Sequence, residues 1–221
     1  MHPSEATSED LDTYFKTPET FHRMWVEIRR AGKHAELPPG FSGFVDLEGK
    51  ASMMCIFENM VVTGLFQTPR YAHEVLRTGR KPEVVERLVA TRMERQEIIA
   101  REDPPEIVLV LDEGVLHRPI GDEETRKEQI DHLIKLAEQP NVTVQMVPSR
   151  TGAYPGVMGA FTLMSFDDGP DLVYVEGHTE GQVIDQPDKV RTHTVRFSLI
   201  RGAAMSVDDS LTLLRTVWEN L

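Results

Sequence analysis

Three stretches of the 221-residue chain set ionisable groups into, or just beyond, apolar runs. In IVLVLDEGVLHRPIG (107–121), Asp112 and Glu113 follow a continuous aliphatic run, with His117 and Arg118 close behind. Adjacent carboxylates beside an imidazole can hold a cation or exchange protons with a substrate. The plainer alternative has Asp112 closing a turn, Glu113 facing water and Arg118 pairing with one of them, since ion pairs also collect at strand ends. In VYVEGHTEG (173–181), strand alternation puts Tyr174 and Glu176 on one face, opposite Val173 and Val175, with His178 beyond the end. Facing inward, Glu176 must be paired or lose its charge; facing outward, it is an ordinary solvated edge. In FENMVVTGLFQT (57–68), Glu58 and Gln67 are polar islands and Gly64 permits close backbone approach. The alternative there is an irregular segment whose polar groups satisfy turn backbone.

Several other chemistries lack their residues. The histidines at 22, 34, 73, 117, 132, 178 and 193 are scattered, so no cluster has zinc spacing and no metal is expected. Nothing matches a Walker loop, a dinucleotide fingerprint or a nucleophile elbow, and no cofactor is expected. Cys55 is the single cysteine, which precludes an intramolecular disulfide and fits a reducing cytoplasm. With 24 basic against 36 acidic residues, the net charge of -12 argues against nucleic-acid binding by this chain alone. The one basic cluster, Arg87, Arg92 and Arg95, is interleaved with Glu86, Glu94 and Glu97. No apolar run approaches the ~20 residues that span a bilayer, and the N-terminus has no signal-peptide core.

The elements that must position these groups follow from periodicity. Residues 1–17 read as an acidic lead-in and 18–221 as a single domain, mainly helical to 102 and a mixed sheet with helices from 103. Phe21, Met24, Trp25 and Ile28 make one helical face after Pro18, and LPPGF (37–41) reads as a turn. A helix is expected up to about Met54, then an extended segment to Thr63. TPRYAHEVLRTGR opens a helix with a Thr68 cap and Pro69, stopped at Gly79. The helix over 81–101 carries Val84, Val85, Leu88, Met93, Glu97 and Ile98 on its core stripe, with Arg and Glu opposite. IVLVL, a helix at about 123–138 and NVTVQMV (141–147) form one βαβ unit. AFTLMSF and LVYVE form a hairpin, and two helices near 187–202 and 206–220 close the chain. The fold class is therefore mixed α+β: a helical N-terminal half packed on a small mixed sheet, with two C-terminal helices.

The ordered set DLEGKA, FENMVVTGLFQTPRYAHEVLR, RMERQEII, VLDEGVLHRPIG, QPNVTVQMVP, GAYPGVMGAFTLMSF, VYVEG and AAMSVDDSLTLLR resembles a known domain. It is similar to the C-terminal domain of actinobacterial Xre-type helix-turn-helix regulators of the Scr1-like, antitoxin-like kind. The resemblance runs from about Trp25 to the C-terminus. It implies a sensor or partner-docking domain that follows a DNA-binding half and is commonly encoded beside a small partner protein. Few residues precede the first matching helix, so a stand-alone relative without the helix-turn-helix is expected. Glu48, Glu58, Gln67, Tyr71, Arg95, Gln96, Asp112, Glu113, Arg118, Gln129, Tyr174 and Glu176 match polar family positions. Thr63, Phe66 and Tyr154 depart from the family's usual Pro, Leu and His.

The expected function is a cytoplasmic module that binds a small molecule or a small partner protein. Its pocket would lie between the helical half and the strand ends, walled by Phe57, Leu65, Phe66 and Leu116. Glu58, Asp112, Glu113 and Glu176 would supply the polar anchors, with Gln67, Tyr71, Arg118 and Tyr174 beside them. Acidic anchors favour an amine, a guanidinium or a polyhydroxylated ligand. One alternative is a natural-product pathway enzyme that catalyses a cyclisation or isomerisation in the same pocket, with Asp112, Glu113, His117 or Glu176 as acid or base. Another is an interaction protein that heterodimerises with a regulator or small partner, and homodimerisation is also compatible with the sequence.

Overall fold

In the computed structural model, residues 4–33, 41–177 and 180–221 are described, with side chains for all of these except 27–33 and 42. Most of the expected turn LPPGF, together with His34 and His178, lies outside the described residues. Helices α1 (Glu5–Phe15), α2 (Thr20–Lys33) and α3 (Phe41–Glu48) lead into strand β1 (Met53–Glu58). Helices α4 (Pro69–Leu76) and α5 (Pro82–Gln96) precede β2 (Glu106–Asp112). A short α6 (Gly114–His117) and then α7 (Glu123–Ala137) precede β3 (Val142–Val147). Next come β4 (Phe161–Ser165), β5 (Leu172–Glu176) and β6 (Gly181–Ile184), and the chain closes with α8 (Pro187–Ala203) and α9 (Val207–Glu219). No helix among the described residues is long and apolar enough to cross a membrane.

The strands form one sheet in the order β3-β2-β1-β4-β5-β6. β3, β2 and β1 are mutually parallel, while β4, β5 and β6 continue antiparallel from β1. The parallel part therefore contains two strand-helix-strand crossovers, not one, because the extended segment expected after about Met54 begins at Met53 and pairs as a central parallel strand. The 160–176 hairpin forms as expected and gains β6 as a third strand. The acidic lead-in also holds a helix. Ser4 caps α1, and the Asp12 carboxylate accepts backbone N–H groups of Phe21 (3.0 Å) and His22 (2.9 Å), so α1 satisfies the open first turn of α2.

Alternation along the strands divides the core in two. Met54, Ile56, Ile107, Leu109, Leu111, Val144 and Met164 face a layer that includes α3, α7 and α9. Val108, Val110, Phe161, Leu163 and Val173 face the opposite way, onto Val190, Phe197 and Ile200 of α8. β2 is buried on both faces, which is why it reads as an unbroken aliphatic run. Local caps set the helix starts: Thr68 accepts from the N–H of Tyr71, Asp122 from Thr125 and Ser206 from Asp209.

The core stripe of α5 differs from the sequence expectation. Val85 and Leu88 are buried as expected, but Glu97 is exposed. The inward face instead continues through Arg92, Arg95 and Gln96, whose side chains bond residues of other elements. Arg95 grips Glu48 of α3 through two hydrogen bonds of 2.8 and 2.9 Å, and lies 4.8 Å over the ring of Phe41. Phe44, on the same helix, stacks on Tyr174 of β5 with ring centroids 4.0 Å apart. These contacts fasten α3 to both α5 and the sheet.

Only 3% of the Glu48 side chain and 10% of the Arg95 side chain is exposed. Removing one partner leaves the other charge buried and unanswered. Glu48→Gln is therefore expected to lower unfolding free energy by roughly 3 kcal/mol, read as a shifted urea midpoint at an unchanged slope.

Candidate functional site

The segment after β1 is irregular, and its backbone is satisfied by side chains. Gln67 donates to Val62 O at 2.6 Å; Gln96 donates to Gly64 O and Gln67 O; Gln129 donates to Phe66 O and accepts from Thr68 N. A buried loop needs such partners, because an unpaired buried peptide group costs about as much as a lost hydrogen bond. Phe66, Gln67 and Tyr71, expected at a ligand, are thus scaffold: all three are buried, and the Tyr71 hydroxyl accepts from Val62 N at 3.4 Å.

This scaffold places Arg92. Its Nη1 donates to Gln67 Oε1 at 2.6 Å, and a Cβ on Gly64 would sit only 3.3 Å from its Nε. The guanidinium thereby reaches a cleft of about 100 Å³ at the end of β1. The C-terminal ends of β1 and β5 bring Glu58 and Glu176 to the same side of this cleft, flanking Ala160 before β4. Phe41, Phe44 and Tyr174 form an aromatic wall, with the Glu48–Arg95 pair behind it.

Charge in the cleft is unevenly answered. Glu48 and Arg95 neutralise each other. Among the described residues Glu58 makes no hydrogen bond or ion pair, and Arg92 has no carboxylate within ion-pair distance. Burial, and then the charge of Glu176, push the Glu58 carboxyl up to about 8 despite the nearby Arg92. Burial and the charge of Arg95 bring Arg92 down to about 10, so it stays cationic at neutral pH. The Tyr174 hydroxyl is buried without a hydrogen-bond partner among the described residues, and burial followed by the charge of Glu176 raises its pKa. Gly181 makes room for it: a Cβ there would lie 1.9 Å from the hydroxyl oxygen.

Asp112 and Glu113 do not join this cleft. Asp112 shares the side of β2 that carries Val108 and Val110, whereas Glu58 shares the side of β1 that carries Met54 and Ile56, so the two carboxylates lie on opposite faces of the sheet. The single pocket anticipated from sequence is corrected accordingly. Asp112 accepts the Tyr154 hydroxyl at 2.6 Å and the Gly114 N–H at 2.8 Å. Glu113 accepts the Ser149 N–H at 2.6 Å and lies 3.5 Å from exposed His117. Burial alone would raise the Glu113 carboxyl, but the bonds from Ser149 and His117 outweigh it and hold the group below its ordinary value. These carboxylates anchor the 149–154 loop: Asp112 closes the turn as in the plainer reading, but Glu113 is bonded to Ser149 instead of facing water, and Arg118 pairs with neither among the described residues. Phe57, expected in the pocket wall, is fully buried on their side of the sheet.

Arg118 is exposed and its guanidinium lies 3.8 Å from Met60 Sδ; it lines, with Leu116 and Tyr71, a void of about 10 Å³. An open groove of about 900 Å³ beside α4 and α7 has Arg70 already tied to Asp122, Glu124 and Glu128. Glu5, Glu9 and His22 bring possible ligand atoms within 4.8 Å of one another across α1 and α2, a trio that linear spacing did not show. Arg92 is the cleft residue that sequence reading missed. Its signal was there, since Val85, Leu88, Arg92, Arg95 and Ile99 recur at helical spacing, but charge type assigned it to the outer face.

Residues 41–216, most of the chain, match the family described as a domain of unknown function, DUF5753, and the chain belongs to that family. No curated protein and no solved structure matches it.

The raised Glu58 carboxyl fixes the sign of one pH effect. A folded-state value of about 8 against an ordinary 4.5 means the contribution is full below 4.5 and lost as pH rises through 8. Glu58→Gln removes that loss. Between pH 5 and 8.5 the wild type should lose on the order of 2 kcal/mol relative to the variant, part of the full effect being screened by solvent. Parallel urea melts at the two pH values measure it, and equal pH slopes would contradict the assignment.

Proposed function

We propose that this chain is a relative of the effector domains of Xre-type regulators and acts in the cytoplasm as a small-molecule-binding module, its ligand seated in the Glu58–Arg92–Glu176 cleft. The observation that carries this reading is a pair of ionisable groups, Glu58 and Arg92, that face one cleft without an ion-pair partner among the described residues. A core that had only to fold would favour apolar side chains at the end of a central strand, since burying a lone carboxyl or guanidinium is costly. Here one of each faces a single small space with an aromatic wall and a partnerless hydroxyl. A few polar groups converging in a concave, partly apolar cleft is the usual form of a ligand site. About 100 Å³ accommodates roughly three waters, hence a short ligand or the polar end of a longer one.

The Glu58 carboxyl favours one second reading. With a pKa of about 8 it is protonated at neutral pH and poised to donate, as a general acid must be. If the chain accelerates a cyclisation or isomerisation, Glu58 is the proton donor in this reading. Of the acid–base candidates Asp112, Glu113, His117 and Glu176, only Glu176 stands beside it.

A thermal-shift screen of amines, guanidines, carboxylates, amino acids and polyols separates binding from its absence. A ligand present at about a hundred times its Kd should raise Tm by roughly 5–10 °C. Ala160→Leu, which fills the cleft without touching its charges, should abolish that rise. Failure of every class, or a rise that survives in the filled variant, removes the reading.

A further inference from the structure

The cleft offers charge of both signs at once. Glu58 from β1 and Glu176 from β5 stand on one side, Glu176 on the exposed rim as the solvated-edge reading has it, and neither makes an ion pair among the described residues. Arg92 from α5 enters with Gln67 as its hydrogen-bonded partner among the described residues, a neutral amide that orients the guanidinium without pairing its charge. The remaining ionic groups of the wall, Glu48 and Arg95, are closed on each other by two hydrogen bonds and take no part. A purely cationic ligand would leave Arg92 unanswered and would meet its repulsion. A purely anionic one would meet the two carboxylates. Only a ligand with both charges, a short distance apart, matches both sides within about 100 Å³.

We propose that the cleft takes a small zwitterion of the α-amino-acid kind, its ammonium between Glu58 and Glu176 and its carboxylate on Arg92. This rests on the binding reading of the preceding subsection and adds the ligand's class. Charge-assisted hydrogen bonds at both ends supply affinity, and the planar guanidinium suits a carboxylate. The Tyr174 hydroxyl, buried at the cleft without an acceptor, adds a polar group that nothing in the described chain satisfies. Binding also moves a proton. The arriving ammonium favours ionised Glu58, so the carboxyl releases its proton to solvent as the ligand seats. Of the other groups facing it, Glu176, Arg92, Arg95, Glu48 and Tyr174, Arg92 stays cationic and the Tyr174 hydroxyl stays protonated through neutral pH. Affinity accordingly rises with pH up to about 8, by as much as about tenfold per pH unit.

Calorimetry on the full chain with three matched probes tests this. L-Alanine carries both charges, L-alaninamide keeps the ammonium alone, and N-acetyl-L-alanine keeps the carboxylate alone. Alanine should bind at least about tenfold more tightly than either. Arg92→Gln should erase its advantage over alaninamide and Glu58→Gln its advantage over the acetylated probe, a crossed pattern that general loss of structure cannot produce. Far-ultraviolet circular dichroism of both variants, with Arg92→Lys as the charge-retaining control, checks that they fold. Titrations at pH 7 in phosphate and in Tris should differ in heat by the release of about one proton per ligand. Equal binding of alanine and either analogue overturns the zwitterion while the cleft-binding reading stands. No binding of alanine at millimolar concentration also overturns it, and the filled-cleft screen then decides the broader reading separately.

Discussion

Neighbouring side chains on a strand must point to opposite sides of the sheet, and at the end of β1 this rule separates two environments. Phe57 goes to the α8 side, where it meets Tyr154 edge-on with centroids 6.1 Å apart. Glu58 goes to the side of α3 and α5. One step along β2, Leu111 and Asp112 divide in the same way. Every acidic group near these strand ends is thereby committed to one of two neighbourhoods, with the sheet between them. One neighbourhood ties down a loop and the other opens a cleft.

The two treat charge differently. Asp112 and Glu113 have backbone and hydroxyl donors waiting for their oxygens, and Glu113 ionises more readily as a result. Glu58 has no such donors and is held in its neutral form. On the basic side the same contrast runs along one helix. Arg95 has a carboxylate and a ring face, while Arg92, a turn earlier, has an amide oxygen. A stable fold can carry a few such imbalances where a ligand completes them, and consistency elsewhere makes them stand out.

Much of the architecture was legible because it is encoded locally. The aliphatic run of β2, the β4–β5 hairpin, the Thr68–Pro69 helix start and the α7 and α9 periodicities are properties of short windows. β1 was legible only as an extended segment: MMCIFE is short, and its identity as a central strand comes from β2 and β4, both distant in sequence. β6 was hidden for the same reason, having only β5 to pair with. In the site, Glu58, Tyr174 and Glu176 were visible as polar residues in apolar surroundings, and parity placed Tyr174 and Glu176 together. Which strand ends share a face depends on register, so the division between Glu58 and Asp112 could not be read from spacing. Arg92 was lost because an arginine on a helix with many charges looks like a solvated one.

The loop between β1 and α4 has no slack of its own. Its carbonyls are gripped by Gln96 of α5 and Gln129 of α7, and its Gln67 side chain bridges Val62 to Arg92. The same bonds therefore join α5, the loop and α7 into one hydrogen-bonded unit, with α9 packed against α7. Arg92 is thus seated by the same side-chain amides that close the loop's own backbone, so its position at the cleft is set by the packing of two helices and not by α5 alone.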